Sequence, residues 1–199
     1  MLFALTMFLL VSCEGNKKTN KEGNNEEGTN TEEVENNNEE TAEVNTNNVK
    51  AETFTSEDGS FKINFPGKPS KDESPVQTEL GNLEMVTYMY EEGMSAYMVA
   101  YSDYPEAAIK ASEPYELLEG AKGGYLGNIG LTVTKENNKS ELDGVPGIYF
   151  EAEGGGYYTA VQDYLLENRL YQIAILRLDR APNQKEIDDF IKSFEFLDK

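Results

Sequence analysis

Three textures follow one another along the chain. Residues 1–12 are apolar apart from Thr6 and Ser12. Residues 14–50 are mostly Asn, Glu, Thr, Lys and Gly, with Val34, Val44 and Val49 as the only large apolar side chains. From residue 51 onward apolar positions recur with regular periods. Phe54, Phe61, Ile63 and Phe65 alternate with polar residues around Asp58-Gly59, which predicts a hairpin over 51–65. Pro66-Gly67-Lys68-Pro69 ends it, and a short extended piece follows at 75–80, stopped by Gly81-Asn82. Residues 83–90 and 95–101 form a second predicted hairpin around Glu91-Glu92-Gly93. Leu83, Met85 and Met89 fall on one face of it, and Val86, Tyr88 and Tyr90 on the other. Strands apolar on both faces are expected to be central and covered on both sides.

A helix is predicted over 112–126. Ser112 can cap it, Pro114 fits its first turn, and Tyr115, Leu118, Ala121 and Tyr125 give a helical stripe. Gly123, Gly124 and Gly127 weaken its end. Strands follow at 131–135, 148–153, 157–166 and 170–178, the last two joined at Glu167-Asn168. At 184–194, Ile187, Phe190, Ile191 and Phe194 are spaced i, i+3, i+4 and i+7. This predicts an amphipathic helix that closes over one face of the sheet. The order of hairpins, helix, meander and helix predicts a single α+β domain over 51–199: an antiparallel β-sheet with helices packed on its faces.

Charge then narrows the possible partners. The chain has 37 acidic and 17 basic residues, a net charge of −20. Residues 51–199 keep 27 acids and 13 bases, so the domain itself stands at −14. That balance argues against nucleic acid, whose binding rests on neutralised phosphates, and against docking of the folded part on anionic lipid. Acid spread through both regions suits solubility outside the cytoplasm. Histidine is absent and Cys13 is the sole thiol. His-based triads, most zinc sites and intrachain disulfides are thereby excluded.

The apolar run before Cys13 is shorter than the roughly 20 residues of a bilayer-crossing helix and has the length of a signal-peptide core. Leu10-Val11-Ser12-Cys13 resembles the lipobox of bacterial lipoproteins. The resemblance implies a signal peptide over 1–12, cleavage before Cys13, and diacylglycerol with further acylation (palmitate among the acyl chains) on Cys13. It places the mature protein in the cell envelope, lipid-anchored on the extracytoplasmic side of a bacterial membrane. No Lys or Arg precedes Cys13, so a basic n-region is expected upstream of Met1. Residues 13–50 then read as the lipidated Cys and a disordered tether, too polar to offset the entropy of ordering. As a flexible coil such a tether reaches roughly 30–37 Å.

Several segments together resemble the PsbP-like (Mog/PsbP-type) family, relatives of the extrinsic photosystem II subunit. They are Asp58-Gly-Ser-Phe-Lys-Ile-Asn-Phe-Pro-Gly67, Leu142-Asp-Gly-Val-Pro-Gly147 and Asn168-Arg-Leu-Tyr-Gln-Ile173, the last followed by a final helix ending Ser193-Phe194. The resemblance covers about residues 52–197. It implies an α/β/α sandwich around an antiparallel sheet and a role in binding or assembling protein complexes, and it supplies no catalytic motif. No photosynthetic signature accompanies it.

Candidate sites are few. Gly154-Gly155-Gly156 and Lys122-Gly123-Gly124 lack the Lys-Ser/Thr of a phosphate loop, so a bulge or close backbone approach is the expected reading. Glu91-Glu92 and Asp188-Asp189 lack the spacing of a calcium loop. No Ser-x-x-Lys pair suggests a hydrolase. The tyrosines stand out, with 12 Tyr and no Trp. Tyr88, Tyr90, Tyr97, Tyr101, Tyr157 and Tyr158, with Tyr164, fall on strands expected to be adjacent, and Tyr offers large contact area at low entropy cost. The sequence therefore points to a non-catalytic, membrane-anchored protein-binding or assembly module with no cofactor or metal, whose partner is a cell-envelope protein. Two other readings stay open: a small-ligand or cation-binding carrier or sensor, and an enzyme of unrecognised type.

Overall fold

The computed structural model describes residues 52–197. The expected signal segment, the lipidation candidate Cys13 and the expected tether lie outside the described residues. The domain is β-rich, with two antiparallel sheets and few helices. A three-stranded sheet is built from β1 (Glu52–Ser56), β2 (Phe61–Phe65) and the two-residue β10 (Glu195–Phe196), in the order β1-β2-β10. The seven-stranded sheet is built from β3 (Ser70–Thr78), β4 (Gly81–Glu92), β5 (Ser95–Asp103), β6 (Thr132–Leu142), β7 (Val145–Gly154), β8 (Tyr157–Leu166) and β9 (Arg169–Arg177). Its order is β3-β4-β5-β9-β8-β7-β6.

Both predicted hairpins form. In the first, the Ser56 hydroxyl accepts from the Gly59 N–H at 3.0 Å and donates to Asp58 Oδ1 at 2.6 Å, and Ser60 takes the left-handed conformation. β3 begins five residues before the extended piece expected from sequence and contains Pro75. A proline is tolerated there because β3 is an edge strand with one ladder to satisfy. β4 is apolar on both faces yet lies next to that edge rather than at the centre. The other edge, β6, runs on to Leu142, seven residues past its expected end, as a polar strand with two register shifts. A bulged, Lys-bearing edge resists pairing with other chains.

Three helices connect these strands. A six-residue helix, α1 (Glu106–Ala111), precedes α2 (Pro114–Ile129). The expected cap Ser112 lies outside α2. Glu113 and Glu116 form a reciprocal capping box instead, with Pro114 at the first helical position. Gly130 closes the helix in the left-handed conformation and donates to the Leu126 carbonyl. The C-terminal helix is shorter than its apolar spacing predicts. α3 (Gln184–Asp189), capped by Asn183, gives way to a 3-10 turn at Ile191–Ser193. The tighter winding turns Phe194 inward and lets β10 pair with β2, with Leu197 donating to the Ser60 carbonyl at 3.0 Å.

The two faces of the large sheet are covered differently. On one, Tyr88, Tyr97, Val99, Tyr101, Tyr164, Tyr171, Ile173 and Ile175 pack against Phe61, Ile63 and Phe65 of β2 and against Ile187, Phe190, Ile191 and Phe194. This aromatic face is closed by the small sheet and the C-terminal segment. On the other, the helix face, Leu117 and Leu118 of α2 meet Ile148, Leu165 and Leu170, and Tyr125 packs on Phe150, Ala152 and Val161. α2 lies over β6, β7 and β8.

Phe190 is buried between Phe65 (ring centroids 5.1 Å apart) and Tyr97 (5.2 Å). Truncating Phe190→Ala removes both contacts and leaves a cavity. A destabilisation of about 3–5 kcal/mol is expected in urea unfolding. A loss below about 0.5 kcal/mol would show that the C-terminal segment does not seal this face.

Candidate functional site

The structure divides the candidate tyrosines. Tyr88, Tyr97 and Tyr101 are buried in the aromatic-face core and offer no surface to a partner. Their hydroxyls and rings hold the fold. Tyr88 donates to Asp58 Oδ1 at 2.9 Å, and the Lys71 ammonium pairs with the other oxygen at 2.5 Å. Lys71, then the Ser56 hydroxyl, holds the Asp58 carboxyl well below the usual carboxylate range. Arg169 forks onto Asp103 and lies 4.7 Å over the Tyr101 ring. Tyr164 is also buried, its ring stacked on Phe194. Tyr90 is half-buried and covers Gly67, where any side chain would collide with the ring. Tyr157 and Tyr158 keep partial exposure at one end of the sheet. The neighbouring glycine run is accounted for locally. A Cβ on Gly154 would strike the Gly130 carbonyl, and Gly155 and Gly156 take positive φ in the β7–β8 turn.

Partly exposed apolar surface lies elsewhere, on the helix face beyond α2. Period-two alternation puts Met85, Thr87 and Met89 of β4 there, with Met98 of β5 directly opposite Met89. All four are half-buried. Among the described residues the helical contributions to this face are α2 over β6–β8 and Ile109 of α1 in the cluster that includes Leu83. Met94, 59% exposed, sits in the β4–β5 turn at the end of this strip, and its carbonyl accepts from the N–H of the exposed Leu178. The four methionines of the domain thus fall on two adjacent strands and the turn joining them. Asp72 of β3 and Glu91 of β4 share this face, opposite Thr87 and Ala96, and make no ion pair among the described residues.

One further group is buried in the sheet and was not among the candidate site residues. Asp163, in the middle of β8, is fully buried on the helix face between Val161 and Leu165, beside Gln172. Its Oδ1 has no hydrogen-bond partner and its Oδ2 is 3.5 Å from Gln172 Nε2. Burial pushes its carboxyl up to about 8, against weak opposition from Gln172 and the charge of Lys122. Lys122, buried on α2, faces outward to Glu119 (2.5 Å) and Glu136 (3.0 Å). Burial works against its charge, but these two carboxylates outweigh it and raise its pKa. Alternation along 157–166 signals Asp163, because a period of two sets it among Val161 and Leu165.

No protein-family model matches the chain, and no curated protein is matched by it.

The Asp163 arrangement fixes a pH dependence. The native carboxyl binds its proton up to about pH 8, whereas the unfolded one releases it near its ordinary value of about 4. The native state therefore binds the extra proton within that window, and stability falls as pH rises through it, by at most about 1.4 kcal/mol per pH unit. Below the window both states are protonated and the dependence vanishes. Asp163→Asn is expected to remove this slope, so the variant gains on the wild type from pH 5 to pH 9 in urea unfolding. Parallel curves would show that the carboxyl is already ionised in the native state.

Proposed function

We propose that the chain is a bacterial lipoprotein, anchored through lipid on Cys13, whose domain binds a protein partner in the cell envelope and catalyses no reaction. The observation that carries the protein-binding part is the half-exposed methionine strip on the helix face. Methionine is flexible and polarizable, and surfaces rich in it adapt to a partner's shape. The anchor rests on the Leu10-Val11-Ser12-Cys13 resemblance. A flexible tether suits this work, because confinement near one membrane raises the module's effective concentration for membrane-bound partners. The finer fold assignment belongs to the same proposal. A sheet with α2 on one face and α3 with the short sheet on the other agrees with the layering of the PsbP-like family, whose members mostly assist larger assemblies.

The test is photocrosslinking in intact cells from Met89 or Met98, with Lys192, an exposed residue of the closed side, as the control position. A recurrent protein adduct is expected from the first two and not from the third. The adduct is expected to weaken when Cys13→Ser abolishes fatty-acid labelling and releases the protein from membranes. Absence of any protein adduct, with a small molecule or ion raising the melting temperature saturably, would replace this reading with the carrier alternative.

A further inference from the structure

We infer that the methionine strip is the seat of a cationic amphipathic helix belonging to the protein partner. The inference rests on the protein-binding reading above and adds the chemistry of what is bound. Geometry supplies the first part of the argument. Seven strands at about 4.8 Å spacing make a sheet roughly 30 Å wide. A helix with its side chains is about 10 Å across, and α2 lies over the β6–β8 half. The strip formed by Met85, Thr87, Met89 and Met98 on β4 and β5 therefore has the width of one further helix laid beside α2. A strand added at the edge is a poorer fit, because Pro75 interrupts the free edge of β3.

Charge supplies the second part. The charged residues that β3, β4 and β5 present on this face are Asp72 and Glu91, both exposed and without an ion-pair partner among the described residues, and Glu92 follows at the turn. The nearby lysine of β3, Lys71, pairs with the opposite face and is held by Asp58 and Glu73. The strip is thus apolar along its centre, and the charges that these three strands set around it are acidic, while Lys110 of the neighbouring α1 is paired with Glu106. A helix with an apolar stripe flanked by Lys or Arg matches both features. The other occupants fit worse. The chain's own residues 14–50 carry ten acids, four lysines and three valines, so they offer neither the apolar stripe nor the opposite charge. A second copy would bring acid against acid. An anionic lipid surface would be repelled by the same carboxylates.

The test uses the full chain carrying Cys13→Ser, with methionine methyl groups labelled for NMR. The probe is an 18-residue peptide of Leu and Lys with helical spacing, and its counterpart replaces each Lys by Glu. The Leu/Lys peptide is expected to shift the Met85, Met89 and Met98 methyls saturably, while the Leu/Glu peptide leaves them in place. Asp72→Lys combined with Glu91→Lys, both at exposed positions, is expected to keep the melting temperature and weaken binding by at least about tenfold. Methyls that do not move, or equal affinity in the double variant, would overturn the inference. If the Leu/Glu peptide moves the same methyls as strongly, the cationic requirement is wrong while the strip survives as a binding face. The crosslinking test does not use these peptides, so failure here and failure of the protein-binding reading are distinguishable.

Discussion

Phe194 sits where three parts of the chain cross. Its ring stacks on Phe61 of β2 at 5.5 Å and on Tyr164 of β8 at 5.9 Å, and it meets Tyr171 of β9 edge-on at 5.6 Å. Two short strands and a two-residue third are marginal as an independent sheet. The small sheet persists because its apolar face is pressed onto the large one through these rings. Tyr171 adds direction to the contact by donating its hydroxyl to the Gly59 carbonyl at 2.9 Å. The last strand of the domain is thereby brought beside the first hairpin, β10 pairing with β2, and the aromatic face is sealed. Any surface left for a partner must lie on the opposite face or at the rim.

The same constraint explains which features were legible from the sequence. Turn residues and period-two alternation located most of the large sheet, because local chemistry decides a hairpin. The sequence pattern ends β6 at Lys135, seven residues early, because an edge strand needs few apolar residues and the polar run that follows resembles a loop. α1 escaped because six residues give no stripe to read. The C-terminal segment was recognised by its apolar spacing, but the spacing could not show that the chain tightens at Phe190 to bring β10 onto β2. The tyrosines were less legible for a physical reason. Alternation groups Tyr88, Tyr97 and Tyr101 on one face, yet nothing local says that the small sheet covers it. On β4 both faces look alike in sequence. The structure buries Tyr88 and leaves Met89 half-exposed.

Electrostatics and packing have separate tasks in this domain. The charged networks sit at the margins: Asp58 with Lys71, Asp103 with Arg169, and Glu186 with Arg177 and Arg180. They fix turns and strand ends, where pairs of this kind contribute little to overall stability but hold geometry. The exception is Asp163, which is interior and accepts a proton because solvation is denied to it. The half of the sheet beneath α2 thus contains the described carboxyl most sensitive to water, while the uncovered half carries the soft apolar surface.

α2 has a composition poorly suited to standing alone. Gly120, Gly123, Gly124 and Gly127 fall at i, i+3, i+4 and i+7 on its solvent side, where a Cβ on any of them would meet nothing within 4 Å. Each glycine costs about 1 kcal/mol of helix propensity relative to alanine, so docking through Leu117, Leu118 and Tyr125 has to hold the helix in place. Among the long elements, α2 is accordingly the one set to detach first in sub-global opening, with amide protons exchanging ahead of those in the central strands. Detachment would admit water to Asp163. Between the ordinary carboxyl range and about pH 8 the newly wetted group sheds its proton, and the closed state takes one up again. Breathing of one glycine-rich helix is in this way coupled to the exchange of a proton with solvent.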